Sequence, residues 1–334
     1  AIMQIPMGYL SDKFGRKKIV IFGLILFSAG SLICFYANEI NILILGRVIQ
    51  GLGAISSVGI ATLSENTSQE NRASAFTIMG IAVGGSFFIG FLAGPYFASL
   101  YSFKSLFILL FVFGMIATLI TFLYYPNDLM QSKKLSKISF KYNNKLVQIY
   151  LGSFFLSLIL SIMLYVFPLI WRDLGTLNED LFSTYLKIFL PAAIIIYPSI
   201  RFFEKIKKVY IAINLGWAFL TLAFAAYLLL PSNIYSFYIL GILFFLGSSV
   251  FQSLLPSLLS LNVSSELRAT GNGPFYIMNF LGHAVGSIFA GAIYMKDFYF
   301  GFDKNFLICI ICILLIILWI SIGLPKYIIK ENSH

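Results

Sequence analysis

Gly8-Tyr9-Leu10-Ser11-Asp12-Lys13-Phe14-Gly15-Arg16-Lys17-Lys18 sets charged side chains and two glycines between apolar runs. Gly8 and Gly15 permit close approach and unusual dihedrals. Asp12 is an anion suited to the positive end of a helix. Arg16 presents a planar fork to a carboxylate. The stretch therefore reads as a tight, charged turn between two helices. Upstream lies the apolar stub Ala1 to Met7. Downstream runs an uninterrupted apolar segment over about residues 19–37.

The rest of the chain continues that pattern. Of 334 residues, 59% are hydrophobic and 11% charged, where a soluble domain carries roughly 25% charge. Mean hydropathy is +0.91 and there are 35 phenylalanines. Too few polar side chains exist to cover a water-soluble globule, and the apolar bias excludes disorder. A helix crosses the hydrocarbon core with about 20 apolar residues. Ten such segments are expected: 19–37, 41–63, 74–98, 103–124, 147–170, 181–200, 208–230, 235–259, 270–295 and 305–323. The stub 1–7 reads as the end of an eleventh. The runs are continuous rather than alternating, so helices win over a barrel. The expected class is an all-α polytopic membrane protein, with most phenylalanines facing lipid.

The net charge of +10 is a topology signal. Lys13, Arg16, Lys17, Lys18, Arg72, the lysines from Lys133 to Lys145, Arg201, Lys205, Lys207, Lys208, Arg268, Lys326 and Lys330 fall in one set of connections. Lys104, Arg172, Lys187, Lys296 and Lys304 fall in the other. The positive-inside rule places the richer set in the cytoplasm. A nucleic-acid surface is not expected. The long polar connection 126–146 separates an amino-terminal bundle, 1–125, from a carboxy-terminal bundle, 147–334. Part of that linker suits a basic amphipathic helix on the membrane surface.

The two halves echo each other. Ser68-Gln69-Glu70-Asn71-Arg72-Ala73 recurs as Ser264-Ser265-Glu266-Leu267-Arg268-Ala269, 196 residues on. Ala93-Gly94 recurs as Ala290-Gly291. Both following helices are rich in glycine. Equal orientation implies a parallel repeat, with substrate between the halves near the midplane.

The opening stretch matches G-x-L-x-D-[RK]-x-G-R-[RK]-[RK], the signature loop of the major facilitator superfamily, at every defined position. Gly46-Arg47-Val48-Ile49-Gln50-Gly51 resembles R-x-x-Q-G of that family's fourth helix. Gly90-x-x-x-Gly94-Pro95 resembles the core of its antiporter signature, although the upstream glycine is one place off and the trailing glycines are absent. The chain most resembles bacterial twelve-helix drug:proton antiporters. The resemblance implies two six-helix bundles, the first incomplete here, because a first helix and most of a second would precede Ala1. It also implies a multi-pass protein of the bacterial inner, cytoplasmic membrane. In such transporters the loop Asp caps the eleventh helix, here near Gly271 to Pro274. The loop Arg pairs with an acid ending the fourth helix, here Glu65. Gly8, Asp12, Gly15, Arg16, Glu65 and Arg72 are thus the expected conformational latch.

A charge inside a span costs several kcal/mol in lipid unless it faces a cavity or a partner. Arg47, with Gln50, is a candidate for coupling or substrate contact, against snorkelling to the outer headgroups. Lys187 and His283 are further candidates, the first for an anionic substrate and the second as a proton carrier. Trp171, Phe154, Tyr165, Tyr276 and Phe280 are candidates for lining a greasy cavity. Cys309 and Cys312 read as packing. No carboxylate falls inside any of the ten spans, although proton antiporters commonly need one. No Walker loop and no cluster of catalytic side chains occurs, so neither ATP hydrolysis nor an enzyme is expected. No metal or cofactor is called for. The expected activity is proton-coupled efflux of amphipathic small molecules by alternating access. The alternatives are a sugar, metabolite or siderophore transporter and a non-transporting sensor. The expected partners are that substrate, protons and membrane lipid, around a monomer.

Overall fold

The motif turn is sharper than its sequence suggests. In the computed structural model, α1 (Gln4–Phe14) runs straight through Gly8 and Asp12. Only Gly15 breaks the helix, with φ 98° and ψ 143°, and α2 (Arg16–Tyr36) starts at the next residue. Gly8 is thus not at a turn: its carbonyl accepts the Ser11 hydroxyl at 2.6 Å inside α1. The Gly15 conformation is one that essentially only glycine adopts. Gly15→Ala should lower stability by about 1–3 kcal/mol. Thermal melts of detergent-purified protein measure this, and an unchanged midpoint would contradict it.

The structure describes residues 3–67, 72–126, 143–175, 183–192, 194–195, 209–263, 268–295, 298–299 and 302–324. The linker residues 127–142 lie outside them. The chain divides into two compact units, residues 1–139 and 140–334.

In the first unit, α2 packs against α3 (Ile40–Leu52) and α6 (Ser105–Tyr124). Glycines set the approach. A Cβ at Gly30 would lie 2.5 Å from the Gln50 amide nitrogen and 2.6 Å from the Gly46 carbonyl. A Cβ at Gly53 would overlap the Gly23 carbonyl, and one at Gly114 the Ser28 hydroxyl. Gly23 and Gly30 on α2 thus meet Gly53, just past the end of α3, and Gly46 within it, the two glycines on each side lying seven positions apart. Lipid gives helices no hydrophobic reason to associate, so close backbone packing of this kind holds them. The expected single span over 41–63 is divided. It is α3 followed by α4 (Ser56–Glu65), with Gly53, Ala54 and Ile55 non-helical. The break falls where Gly53 must meet Gly23. Met7, Ile19, Val20 and Val58 form a small core that ties α1, α2 and α4 together. α5 (Arg72–Leu100) is 29 residues long.

The second unit is built on α7 (Asn144–Asp173), a 30-residue helix capped by Asn143. Around it are the helical residues 183–192 (α8), α9 (Val209–Leu229), α10 (Ile234–Asn262), α11 (Arg268–Tyr294) and α12 (Lys304–Ile322). A two-stranded hairpin, β1 (Phe298–Tyr299) with β2 (Phe302–Asp303), joins α11 to α12. Phe167, Phe224, Phe237, Phe244 and Phe251 are among the largest fully buried side chains. The expectation that most phenylalanines face lipid fails in this unit. The rings stack on one another, Phe167 on Phe237 at 4.1 Å and Phe189 on Phe245 at 3.8 Å.

Among the described residues seven helices are long and apolar enough to cross a membrane: α2, α6, α7, α9, α10, α11 and α12.

Candidate functional site

Arg47 lies seven residues past Ile40, about 10 Å along its helix. Its Nη1 donates to Gln50 Oε1 at 2.8 Å. Gln50 Nε2 donates to Ser31 Oγ at 2.6 Å, and Ser31 Oγ donates to the Phe27 carbonyl at 2.8 Å. Gln50 and Ser31 are buried. This chain of bonds draws the guanidinium toward Gln50, away from the Ile40 end of α3. The guanidinium also lies 5.9 Å from the Phe107 ring centroid. Among the described residues no carboxylate pairs with Arg47. A guanidinium carries five donors. Gln50 accepts from one of its two Nη atoms.

The signature residues are placed in part. Arg16 donates from Nη1 to Ser11 Oγ at 2.9 Å, across the Gly15 turn. The side chains of Asp12, Glu65, Arg72 and Pro95 lie outside the described residues, as does the loop before α11, while Gly271 falls in the first turn of α11. Gly90 and Gly94 fall on α5, and a Cβ at either meets nothing described within 4 Å. Lys187 is exposed on α8, one turn from its start. His283 is half-buried on α11, and its carbonyl accepts the Ser161 and Ser287 hydroxyls at 2.9 Å each.

Trp171 is not a cavity residue. It is 2% exposed and packs on Phe237 at 5.3 Å, in the core of its unit. Tyr165 is open, and with Ser287, Tyr294 and Met295 it lines a cleft of about 420 Å³ between α7 and α11. Cys309 and Cys312 are buried free thiols.

Three features escaped the sequence reading. The first is Ser31, whose importance appears only when α2 meets α3. The second is a seam between α7 and α11. Ser153 Oγ donates to the Phe275 carbonyl at 3.3 Å. Asn279 Nδ2 donates to Ser157 Oγ at 2.6 Å, and Ser161 bonds Ser287 at 2.6 Å. Serines at 153, 157 and 161 share one helix face, so this signal was legible in the spacing. The third is a polar knot at one end of the second unit. Lys304 Nζ lies 3.7 Å from Asp173 and 4.9 Å from the Tyr294 ring centroid, and Tyr294 bonds Asn305.

Comparison with known proteins agrees with the fold. An "Uncharacterized transporter" of Buchnera aphidicola subsp. Schizaphis graminum is 40% identical over 174 residues, which is 50% of this chain and 44% of that protein. The "Inner membrane transport protein YajR" of Escherichia coli K12 is 29% identical over 306 residues, 88% of this chain and 66% of that one. A "Putative multidrug resistance protein MdtD" of Escherichia coli O9:H4 is 31% identical over 140 residues, 40% of this chain and 29% of its own length. The chain therefore spans less than half to two thirds of these relatives. Among solved structures, the human organic anion transporter MFSD10 (TETRAN) matches with TM-score 0.66 at 16% identity, covering 95% of this chain and 79% of that one. The family model of the Major Facilitator Superfamily matches residues 1–195, more than half the chain. The chain is a multi-pass membrane protein and belongs to the Major Facilitator Superfamily of transporters.

Proposed function

We propose that this chain is a proton-driven exporter of amphipathic small molecules in the inner, cytoplasmic membrane of a bacterium. Two bundles, 1–125 and 147–334, rock about a midplane site, joined by a cytoplasmic linker over 126–146. The observation that carries the reading is Arg47. It is a cation inside an apolar span, anchored by Gln50, with no described carboxylate beside it. An intramembrane cation so placed marks a substrate or proton path. The direction rests on the partial antiporter signature at Gly90, Gly94 and Pro95, and on the likeness to MdtD.

Everted vesicles supplied with an amphipathic dye such as ethidium test this directly. Dye accumulation that collapses when the proton gradient is dissipated supports export. Accumulation only in right-side-out vesicles would make the protein an importer, of a sugar, metabolite or siderophore. Binding without movement in either orientation would make it a sensor. Lys187 and His283 are tested in the same assay.

The latch belongs to the same proposal. Asp12, Arg16, Glu65 and Arg72, with Gly8 and Gly15, hold the outward-open state by joining the two bundles. Asp12→Asn should cut transport about tenfold, the effect of losing one charge-assisted hydrogen bond. Its melting temperature should stay within a few degrees of wild type. A well-folded Asp12→Asn protein that transports at the wild-type rate would sink the latch.

A further inference from the structure

We infer that Ser31 is a positioning residue: it orients the Gln50 amide so that its oxygen, not its nitrogen, faces Arg47. The inference rests on the reading of Arg47 as the intramembrane functional cation. An amide side chain has an accepting end and a donating end. Turned the wrong way, Gln50 would set its own N–H groups against a guanidinium that only donates.

The structure decides which way it turns. The Ser31 hydroxyl proton is committed to the Phe27 carbonyl at 2.8 Å. Ser31 Oγ can then only accept from its other neighbour. That neighbour is Gln50 Nε2 at 2.6 Å. The amide nitrogen is fixed on α2, so Oε1 points at Arg47 Nη1 at 2.8 Å. The polarity of the chain runs from Arg47 through Gln50 and Ser31 to the backbone of α2.

Packing supports the same geometry. Ser31 is fully buried and Gln50 is 8% exposed, so no water competes for the amide. Gly30, beside Ser31, leaves no room for a Cβ against the Gln50 backbone nitrogen and Cγ. Gly46, beside Arg47, would place a Cβ 2.6 Å from Cys34 Sγ. The glycine contacts therefore hold Ser31 at hydrogen-bond distance from Gln50. Movement of α3 against α2 would break the relay and release Arg47, so the relay ties the cation to one helix arrangement.

Two measurements on the full chain test the inference. The first needs no substrate. The chain has six arginines, and the Arg47 side-chain ¹⁵N signals are assigned by their loss in Arg47→Lys. In wild type the Nη signals should be resolved, because the hydrogen bond hinders rotation. In Ser31→Ala they should collapse to an average. Gln50→Leu, which removes the relay from its other end, should give the same collapse and serves if Ser31→Ala does not fold. Unchanged Arg47 signals in the folded variant overturn the proposal.

The second is a double-mutant cycle in ethidium transport by everted vesicles. Ser31→Ala should slow transport about tenfold, the weight of a hydrogen bond to a charged group. Gln50→Glu offers Arg47 a carboxylate, whose two oxygens need no orienting. Ser31→Ala should then cost less than twofold on the Gln50→Glu background. Equal losses on both backgrounds would show that Ser31 acts through packing alone, and would overturn the proposal. If wild type moves no ethidium, the export reading fails while the ¹⁵N measurement still decides the role of Ser31.

Discussion

Gly282→Ala should destabilise the second unit by about 3 kcal/mol, the upper range for forcing atoms into a packed site. A Cβ there would overlap the Phe154 carbonyl oxygen and lie 3.0 Å from the Leu158 nitrogen. Both are backbone atoms of α7, so no side-chain rotation relieves the clash. The helices must separate instead. Separation also stretches the Ser157–Asn279 and Ser161–Ser287 bonds beside it. Such bonds contribute about 0.6 kcal/mol each in membrane proteins, so most of the loss is in packing. Gly291→Ala on the same helix is the control. Among the described residues its Cβ would meet the end of the Tyr165 side chain, its hydroxyl at 3.7 Å and Cζ at 3.9 Å, both ordinary contacts. There, alanine's better helix propensity should be neutral or stabilising by up to about 1 kcal/mol. Thermal melts of the two variants should therefore move apart. Equal shifts would mean that α7 and α11 do not approach as closely as described.

Arg47→Ala should lower the initial rate of proton-driven dye accumulation at least 30-fold, or about 2 kcal/mol, the range of a hydrogen bond to a charged group. Stability should fall by about 1–3 kcal/mol, because removing the guanidinium leaves the buried Gln50 oxygen without its donor. Arg47→Lys keeps the charge but replaces a planar fork with a point charge on a flexible stem. It cannot hold the Gln50 oxygen in the fixed geometry of the fork. Its rate should fall about tenfold, between wild type and alanine, with the same helix packing. Rates are normalised to the amount of protein in the vesicles. An Arg47→Ala rate within twofold of wild type would mean that the side chain only braces α3.

Much of this architecture was legible in the chain. The continuous apolar runs specify helices, because lipid leaves no other way to satisfy the backbone. The signature from Gly8 to Lys18 identifies the family, and Gly15 sits at the turn it announces. The reading was less good at helix interiors. It made 41–63 one span, because hydropathy averages over Gly53 and has no register with Gly23 on another helix. It opened Trp171 to a cavity, because an aromatic in an apolar run looks the same whether it faces lipid, a cleft or a core. It sent phenylalanines to lipid for the same reason.

What the sequence by itself determined is local: helix content, the glycine turn, and the apolar run between Ile40 and Leu52 that surrounds Arg47. These depend on transfer from water to lipid, which each segment undergoes on its own. What only the tertiary structure decided is contact. The glycine pairs between α2 and α3, the serine seam between α7 and α11, and the bond from Ser31 to Gln50 depend on register between segments far apart in the chain. Within a membrane the hydrophobic effect does not fix that register. Steric fit and hydrogen-bond polarity do, and both exist only once the helices meet.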